Sequence, residues 1–191
     1  MQMDFDNLFS VAGKTVVITG GSRGIGEMMA AGFLKAGAKV IISSRKAAAC
    51  EEAVERLKAY GDDIGAIPSD MSTMDGVNHL ASELAKVTDK VDVLINNAGA
   101  AWGAPIDEFP EMGWDKVMDV NVKGVFFMTQ KLLPMLRAAG TAEDPARVIN
   151  IGSIDGLRTP KMLTPSYSAS KAAVHHLTRV LSAHLIGDNI T

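Results

Sequence analysis

Tyr167 and Lys171 stand four residues apart in Ser166-Tyr167-Ser168-Ala169-Ser170-Lys171, at the start of a stretch with helical patterning, and so share one helix face. A phenol with an ordinary pKa of about 10 works as an acid or base near neutral pH only if its ionised form is favoured by roughly three units, or about 4 kcal/mol. An ammonium one turn away acts in that direction. Ser153, in Ile149-Asn150-Ile151-Gly152-Ser153, follows a short β-branched run. Its hydroxyl can donate to an oxygen on which negative charge develops. Together the three residues suit proton transfer at a carbonyl or alcohol oxygen, and no acyl-enzyme is required. His79, His175, His176 and His184 have no spacing that suggests a general base or metal ligand, so they are read as structural and no metal site is expected.

A second group lies near the N-terminus. Thr19-Gly20-Gly21-Ser22-Arg23-Gly24-Ile25-Gly26 follows an apolar run and leads directly into helix-forming Glu27-Met28-Met29-Ala30. In a strand-turn-helix unit, Gly20, Gly24 and Gly26 allow a tight turn, close approach of a pyrophosphate and close helix packing, and the helix N-terminus offers amide donors to the anion. Ser22, Arg23 and Ile25 complete the candidate dinucleotide turn. An NAD-preferring site carries an acidic residue at the end of the second strand; here that end reads Ser43-Ser44-Arg45-Lys46. Ser44 and Arg45 can accept a 2′-phosphate that a carboxylate would repel, with Arg23 closing from the other side, so the expected cofactor is NADP(H). Tyr167 and Lys171 are also candidate cofactor-binding residues, Lys171 being able to hold the nicotinamide ribose.

These residues need a frame. Apolar runs over 15–19, 40–43, 64–67, 91–96 and 148–151 read as five strands lacking polar alternation, as expected for parallel strands buried on both faces. Helical spacing over 25–36, 47–60, 75–86, 114–139 and 167–186 supplies the crossovers. The result is an α/β, doubly wound Rossmann fold with a parallel sheet in the order 3-2-1-4-5. The ligand crevice then opens where strands 1 and 4 diverge, next to Thr19 and Asn96. Residues 1–191 read as a single dinucleotide-binding catalytic domain. Asn189-Ile190-Thr191 begins in a β-like manner after the fifth helix, so a sixth and later strands are expected beyond a C-terminal truncation.

Bulk properties narrow the function classes. Of the 191 residues 47% are hydrophobic, ample for one sizeable core, and 21% are charged with a net charge of -3, leaving no broad basic face for nucleic acid or anionic lipid. No run approaches the length of a membrane span, and the acidic start MQMDFDNLFS lacks the features of a signal or transit peptide. The single cysteine, Cys50, reads as filler in a surface helix and fits a reducing compartment. A cytoplasmic location is the expectation.

TGGSRGIG at 19–26, Asp70, Asn96-Asn97-Ala98-Gly99, Asn121-Val122, Ser153 and Tyr167 with Lys171 occur in an order that resembles the short-chain dehydrogenase/reductase family, and within it the β-ketoacyl reductase branch. The resemblance implies that Asp70 and Met71 border an adenine, and that Asn97, Ala98 and Gly99 bring backbone close to the adenosine ribose. It also implies that Asn121 positions a water linking Lys171 to solvent, that hydride passes between nicotinamide and a carbonyl or alcohol carbon, and that the protein is a homo-oligomer, commonly a tetramer, built on the fourth and fifth helices. Val174, Leu177, Val180 and Leu181 divide there between core and interface.

The substrate expected from this resemblance is a 3-oxoacyl thioester. The alternatives are a sugar, polyol or small ketone, or a non-catalytic protein that binds NADPH without turnover. Trp102, Leu157, Met162 and Leu163 could line an apolar acyl channel. Asp188 stands where some relatives of that branch carry an arginine for an acidic acyl carrier, and the loop 138–146 is longer than theirs; a coenzyme A thioester or free ketone therefore stays open.

Overall fold

The computed structural model describes residues 9–191; most of the acidic N-terminal stretch that argued against a leader lies outside the described residues. Five parallel strands form one sheet: β1 (Thr15–Thr19), β2 (Lys39–Ser43), β3 (Ile64–Ala66), β4 (Val93–Asn96) and β5 (Arg147–Asn150), in the spatial order β3-β2-β1-β4-β5. This is the doubly wound order expected from the alternation of strand and helix. β1 is central and every one of its side chains is buried, because helices cover both faces.

Alternate residues of the strands feed two cores. Val17, Ile41 and Leu94 face one side, packing with Leu80 and Leu84 of α3 (Met74–Leu84) and Met128, Leu132 and Leu136 of α5 (Gly124–Ala139). Val16, Ile18, Val40, Ile42 and Ile95 face the other, against Ala30 and Leu34 of α1 (Gly24–Lys35) and Ala53 and Leu57 of α2 (Ala47–Leu57). Each fully buried leucine contributes about 2 kcal/mol by leaving water. Cys50 belongs with this inner face of α2: within the surface helix read from sequence, it is buried. The i, i+3, i+7 spacing of Cys50, Ala53 and Leu57 puts the three on one stripe.

Most boundaries shift from the sequence reading by a few residues, and two departures are larger. The fourth strand pairs only from Val93, since the Val91 amide donates to the Met135 carbonyl on α5 and the buried Asp92 carboxylate accepts the Thr15 amide at 2.8 Å. The helix expected over 114–139 is three pieces: α4 (Glu111–Met118), a π-helical turn (Asp119–Lys123) and α5. The wide turn buries Asn121, and such turns recur where a helix must aim a functional side chain. After α6 (Pro165–Leu185) and a short 3-10 turn, Asn189 adopts a left-handed conformation. Ile190 then bridges Ala146 in parallel, with the Val148 amide donating to the Thr191 carbonyl at 2.8 Å. No described helix is long and apolar enough to cross a membrane.

Candidate active site

The ends of β1 and β4 diverge at the centre of the sheet, and a polar stitch holds them. The Thr19 hydroxyl accepts the backbone amides of Asn97 and Ala98, both at 3.1 Å, while Asn97 Nδ2 donates to the carbonyls of Thr19 and Gly20, both at 3.0 Å. Gly20 turns the chain with φ of 67°, and a methyl there would lie 2.9 Å from Ala98 Cα. Gly26 is tighter still: a methyl would fall 2.3 Å from the Gly20 carbonyl oxygen. No side chain caps α1 among the described residues, which leaves its first amides facing the turn. Arg56 of α2 braces the turn from behind, donating to Glu27 at 2.7 Å and to the Ser22 carbonyl at 3.2 Å. That brace was not foreseen, because Arg56 follows the turn by some thirty residues and lies on another helix.

A cleft of about 660 Å³ opens over this turn. Gly20, Ser22, Arg23, Gly24, Ser44, Arg45, Asp70, Met71, Asn97, Ala98 and Gly99 all line it, so the candidate dinucleotide residues from four separate segments converge. Ile25 does not: it is 64% exposed on the first turn of α1. Gly26 is buried beneath the turn. Tyr167 and Lys171 are not lining residues of this cleft either. Lys116 of α4 and Val120 of the π turn do line it, and neither carried a sequence signal.

The residues fit a phosphorylated dinucleotide. The glycine cradle admits no Cβ at Gly26, the helix N-terminus is uncapped, and the cationic side chains Arg23, Arg45, Lys46 and Lys116 surround the single carboxylate of Asp70. Asp70 is turned inward on Ser72, accepting its hydroxyl at 2.8 Å and its amide at 3.0 Å. The buried Ser43 hydroxyl, also on the cleft wall, has no hydrogen-bond partner among the described residues.

Beside the cleft, α6 presents the second group. Lys171 is buried, its Nζ 2.6 Å from the Ile151 carbonyl oxygen and 5.6 Å from the centroid of the Tyr167 ring. Burial pushes the ammonium below the ordinary lysine value of 10.5. Ser153 sits just past the C-terminal end of β5, its hydroxyl accepting the Asp155 amide at 3.2 Å. Its hydroxyl hydrogen therefore remains available to a ligand. Asn121 joins the two groups: its Oδ1 accepts the Ala100 amide at 2.8 Å, and its Nδ2 donates to the Ala100 carbonyl and the Ser170 hydroxyl, both at 2.9 Å. Ser170 in turn donates to the Tyr167 carbonyl at 2.7 Å. One buried amide thus ties the cleft wall to the helix bearing Tyr167 and Lys171.

Lysine burial has a measurable consequence. A lysine whose folded pKa lies below its unfolded value gives a folded state that binds fewer protons between the two values, so stability rises with pH across that window. The desolvation penalty is fully present below the folded pKa and disappears toward 10.5. The melting temperature of the parent, measured relative to Lys171→Met by calorimetry, is therefore expected to climb between pH 7 and pH 10. A flat or falling difference would show that the ammonium is not desolvated.

A further cavity of about 570 Å³ is bounded by residues 155–165, Ile106 and one side of α6 at Ser168, Ala169 and Ala172. Leu157, Met162 and Leu163 line it as expected, while Ile106 is an addition. Trp102 does not line it; its ring packs against Gly113 of α4, with Lys116 Nζ 5.2 Å from the ring centroid. Asp188 is held by Arg137, 2.7 Å away, which places a cation beside the acidic position. Among the described residues, no group of three His, Cys, Asp or Glu side chains could hold a metal ion.

These features recur in known proteins. The chain is 49% identical over 182 residues to a rhamnolipids biosynthesis 3-oxoacyl-[acyl-carrier-protein] reductase of Pseudomonas aeruginosa, with 95% of this chain and 71% of that protein covered. It is 37% identical to a 5-keto-D-gluconate 5-reductase of Escherichia coli, covering 97% of this chain and 71% of the relative. A solved Pseudomonas aeruginosa RhlG/NADP active-site complex superposes with a TM-score of 0.93 at 49% identity, over 96% of this chain and 71% of that one. L-sorbose reductase from Gluconobacter frateurii, complexed with NADPH and L-sorbose, gives 0.88 at 29% identity over 95% and 67%. The family model for short chain dehydrogenases matches residues 14–191, a span that holds the glycine turn, Asn121, Ser153, Tyr167 and Lys171 alike. With both groups of residues inside that match, the chain belongs to the short chain dehydrogenase family.

Proposed function

We propose that this protein is an NADP(H)-dependent oxidoreductase that reduces the 3-oxo group of an acyl thioester to a hydroxyl. The observation that carries the reading is the placement of Tyr167, Lys171 and Ser153 around the end of β5, joined through Asn121 to the wall of a glycine-cradled cationic cleft. A bound NADPH supplies the hydride, and the net change is carbonyl plus NADPH plus a proton to alcohol plus NADP⁺.

The chain's own groups do the rest. Gly20, Ser22, Arg23 and Gly24 of the cleft wall would bind the diphosphate, while Ile25 and Gly26, off that wall, would offer only backbone amides of the first turn of α1. Ser44 and Arg45 would take the 2′-phosphate, and by the family resemblance Asp70 and Met71 would border the adenine and Asn97, Ala98 and Gly99 the adenosine ribose. Ser153 donates to the substrate oxygen as charge gathers there. Tyr167 delivers the proton to that oxygen from its hydroxyl. Lys171, fixed on the Ile151 carbonyl, favours the phenolate left behind and holds the nicotinamide ribose. By the family resemblance Asn121, held on Ala100 and Ser170, would position a water linking Lys171 to solvent for proton return. The apolar cavity formed by Ile106, Leu157, Met162 and Leu163 suits an acyl chain, and the similarity to a 3-oxoacyl reductase points the same way. By the family resemblance, this dinucleotide-binding catalytic domain would work within a homotetramer.

A second reading, reduction of a keto-sugar, is favoured by the similarity to 5-keto-D-gluconate 5-reductase. The two separate in one assay: NADPH oxidation followed at 340 nm with acetoacetyl-CoA, 5-keto-D-gluconate and L-sorbose. A kcat/KM for the thioester at least tenfold above either sugar supports the first reading, and the reverse supports the second. NADPH binding with no turnover of any carbonyl would make the protein a non-catalytic binder.

Cofactor choice gives a separate prediction. Arg45 and Arg23 form no ion pair among the described residues, so both are free for an anion. Arg45→Ala removes a charge-assisted hydrogen bond of about 2 kcal/mol. KM for NADPH is expected to rise about thirtyfold while KM for NADH stays within twofold. Equal losses for both cofactors would place the 2′-phosphate elsewhere.

A further inference from the structure

Helix α6 grips the end of β5 at three consecutive residues. Thr178 accepts Asn150 Nδ2 at 3.0 Å, Lys171 donates to the Ile151 carbonyl at 2.6 Å, and the His175 ring lies directly on Gly152. The third contact is one of van der Waals packing. A methyl built on Gly152 would stand 2.3 Å from His175 Nε2 and 2.7 Å from Cδ2, so no side chain other than hydrogen is compatible with the ring in place. The next residue is Ser153.

We infer that His175 is a positioning residue: its ring, seated on Gly152, sets the height of the Gly152–Ser153 backbone above α6 and thereby the distance of the Ser153 hydroxyl from Tyr167. This deepens the reductase reading and rests on it. Tyr167, Lys171 and His175 follow one another along one side of α6, so the helix acts as a common ruler for the tyrosine, the lysine and, through the ring, the serine. The sheet alone fixes Ser153 less firmly. β5 pairs with β4 only as far as Asn96 and Asn150, after which the Ile151 amide makes one bond to the Asn96 carbonyl.

The contact is one of shape. His175 Nδ1 is buried with no hydrogen-bond partner among the described residues. A buried polar atom left unpaired is a cost, whereas a flat apolar ring in the same place would carry none. An error of 1 Å in a donor that must meet a developing oxyanion is enough to lower kcat by orders of magnitude without disturbing cofactor binding.

The test is a double-mutant cycle on the purified protein, with kcat and KM for the best carbonyl substrate, NADPH affinity by fluorescence titration and melting temperature measured on each variant. Gly152→Ala is expected to lower kcat at least thirtyfold, with the NADPH Kd and the substrate KM within threefold of the parent. His175→Ala should lower kcat about tenfold. Combined, Gly152→Ala/His175→Ala should recover to within fivefold of the parent, because the added methyl enters the space the ring has left. His175→Phe, which keeps a flat ring, should stay within threefold. Melting temperatures should show the same non-additivity.

Additive losses in kcat and melting temperature, or a His175→Phe protein as impaired as His175→Ala, overturn the positioning role. Non-additive melting temperatures in a parent that turns over no carbonyl would sustain the ring-on-glycine contact and overturn the reductase reading instead, so the two failures are distinguishable.

Discussion

Tyr167→Phe is expected to lower kcat for carbonyl reduction about a thousandfold while the Kd for NADPH changes by less than threefold. The magnitude follows from removing a positioned proton donor, worth about 10²- to 10⁴-fold. The split between kcat and Kd follows from the structure. Tyr167 is not among the residues that line the dinucleotide cleft, and Phe retains the ring beside Lys171 while deleting only the hydroxyl. Since Ser170 bonds to the Tyr167 carbonyl and not to the phenol, the link from Asn121 to α6 should survive the change. Steady-state kinetics with saturating NADPH, set beside a fluorescence titration, make the comparison. A variant as fast as the parent would end the proposal that this phenol supplies the proton. A variant that is slow because it no longer binds NADPH would move Tyr167 from proton donor to cofactor ligand.

Gly26→Ala should act on the other half of the reaction, raising the NADPH Kd more than a hundredfold. The added methyl would lie 2.3 Å from the Gly20 carbonyl oxygen and 2.6 Å from Asn97 Nδ2. Neither can yield cheaply. The carbonyl is backbone of the turn itself, and Asn97 Nδ2 is already committed to the Thr19 and Gly20 carbonyls at 3.0 Å. Relief therefore requires the turn and α1 to separate, which withdraws the helix amides from the place where a diphosphate would sit. Overpacking of this kind costs about 1–3 kcal/mol of fold stability, which the cores on the two sheet faces can absorb. Calorimetric titration with NADPH on a variant shown to be folded by circular dichroism is the measurement. An unchanged Kd would mean that the dinucleotide does not rest on this turn.

The frame and the two chemical groups were legible in the chain because each is local. The glycine turn occupies eight successive residues, Tyr167 and Lys171 are one helical turn apart, and strand runs such as Val16–Ile18 announce burial on both faces by the absence of polar alternation. Where the reading drifted, a distant segment had intervened. Cys50 read only as filler in a surface helix, and it took packing to show that α2 turns Cys50, Ala53 and Leu57 inward as one stripe. Trp102, an expected wall of the acyl channel, instead lies on Gly113, a glycine eleven residues on whose missing side chain leaves room for the indole. The helix over 114–139 looked continuous because its apolar spacing runs on through the π turn, whose wider hydrogen bonding leaves no mark in composition.

By itself the sequence determined the α/β alternation and the parallel order of the strands, and it offered candidates for binding a diphosphate and moving a proton, since these rest on periodicity, turn chemistry and short spacings. Only the tertiary structure decided how those residues meet. Arg56 reaches back to Ser22 and Glu27, Asn121 spans Ala100 and Ser170, and His175 settles on Gly152. Each pairing joins segments from separate elements, and it is packing of the helices onto the sheet that brings them within hydrogen-bond or van der Waals reach.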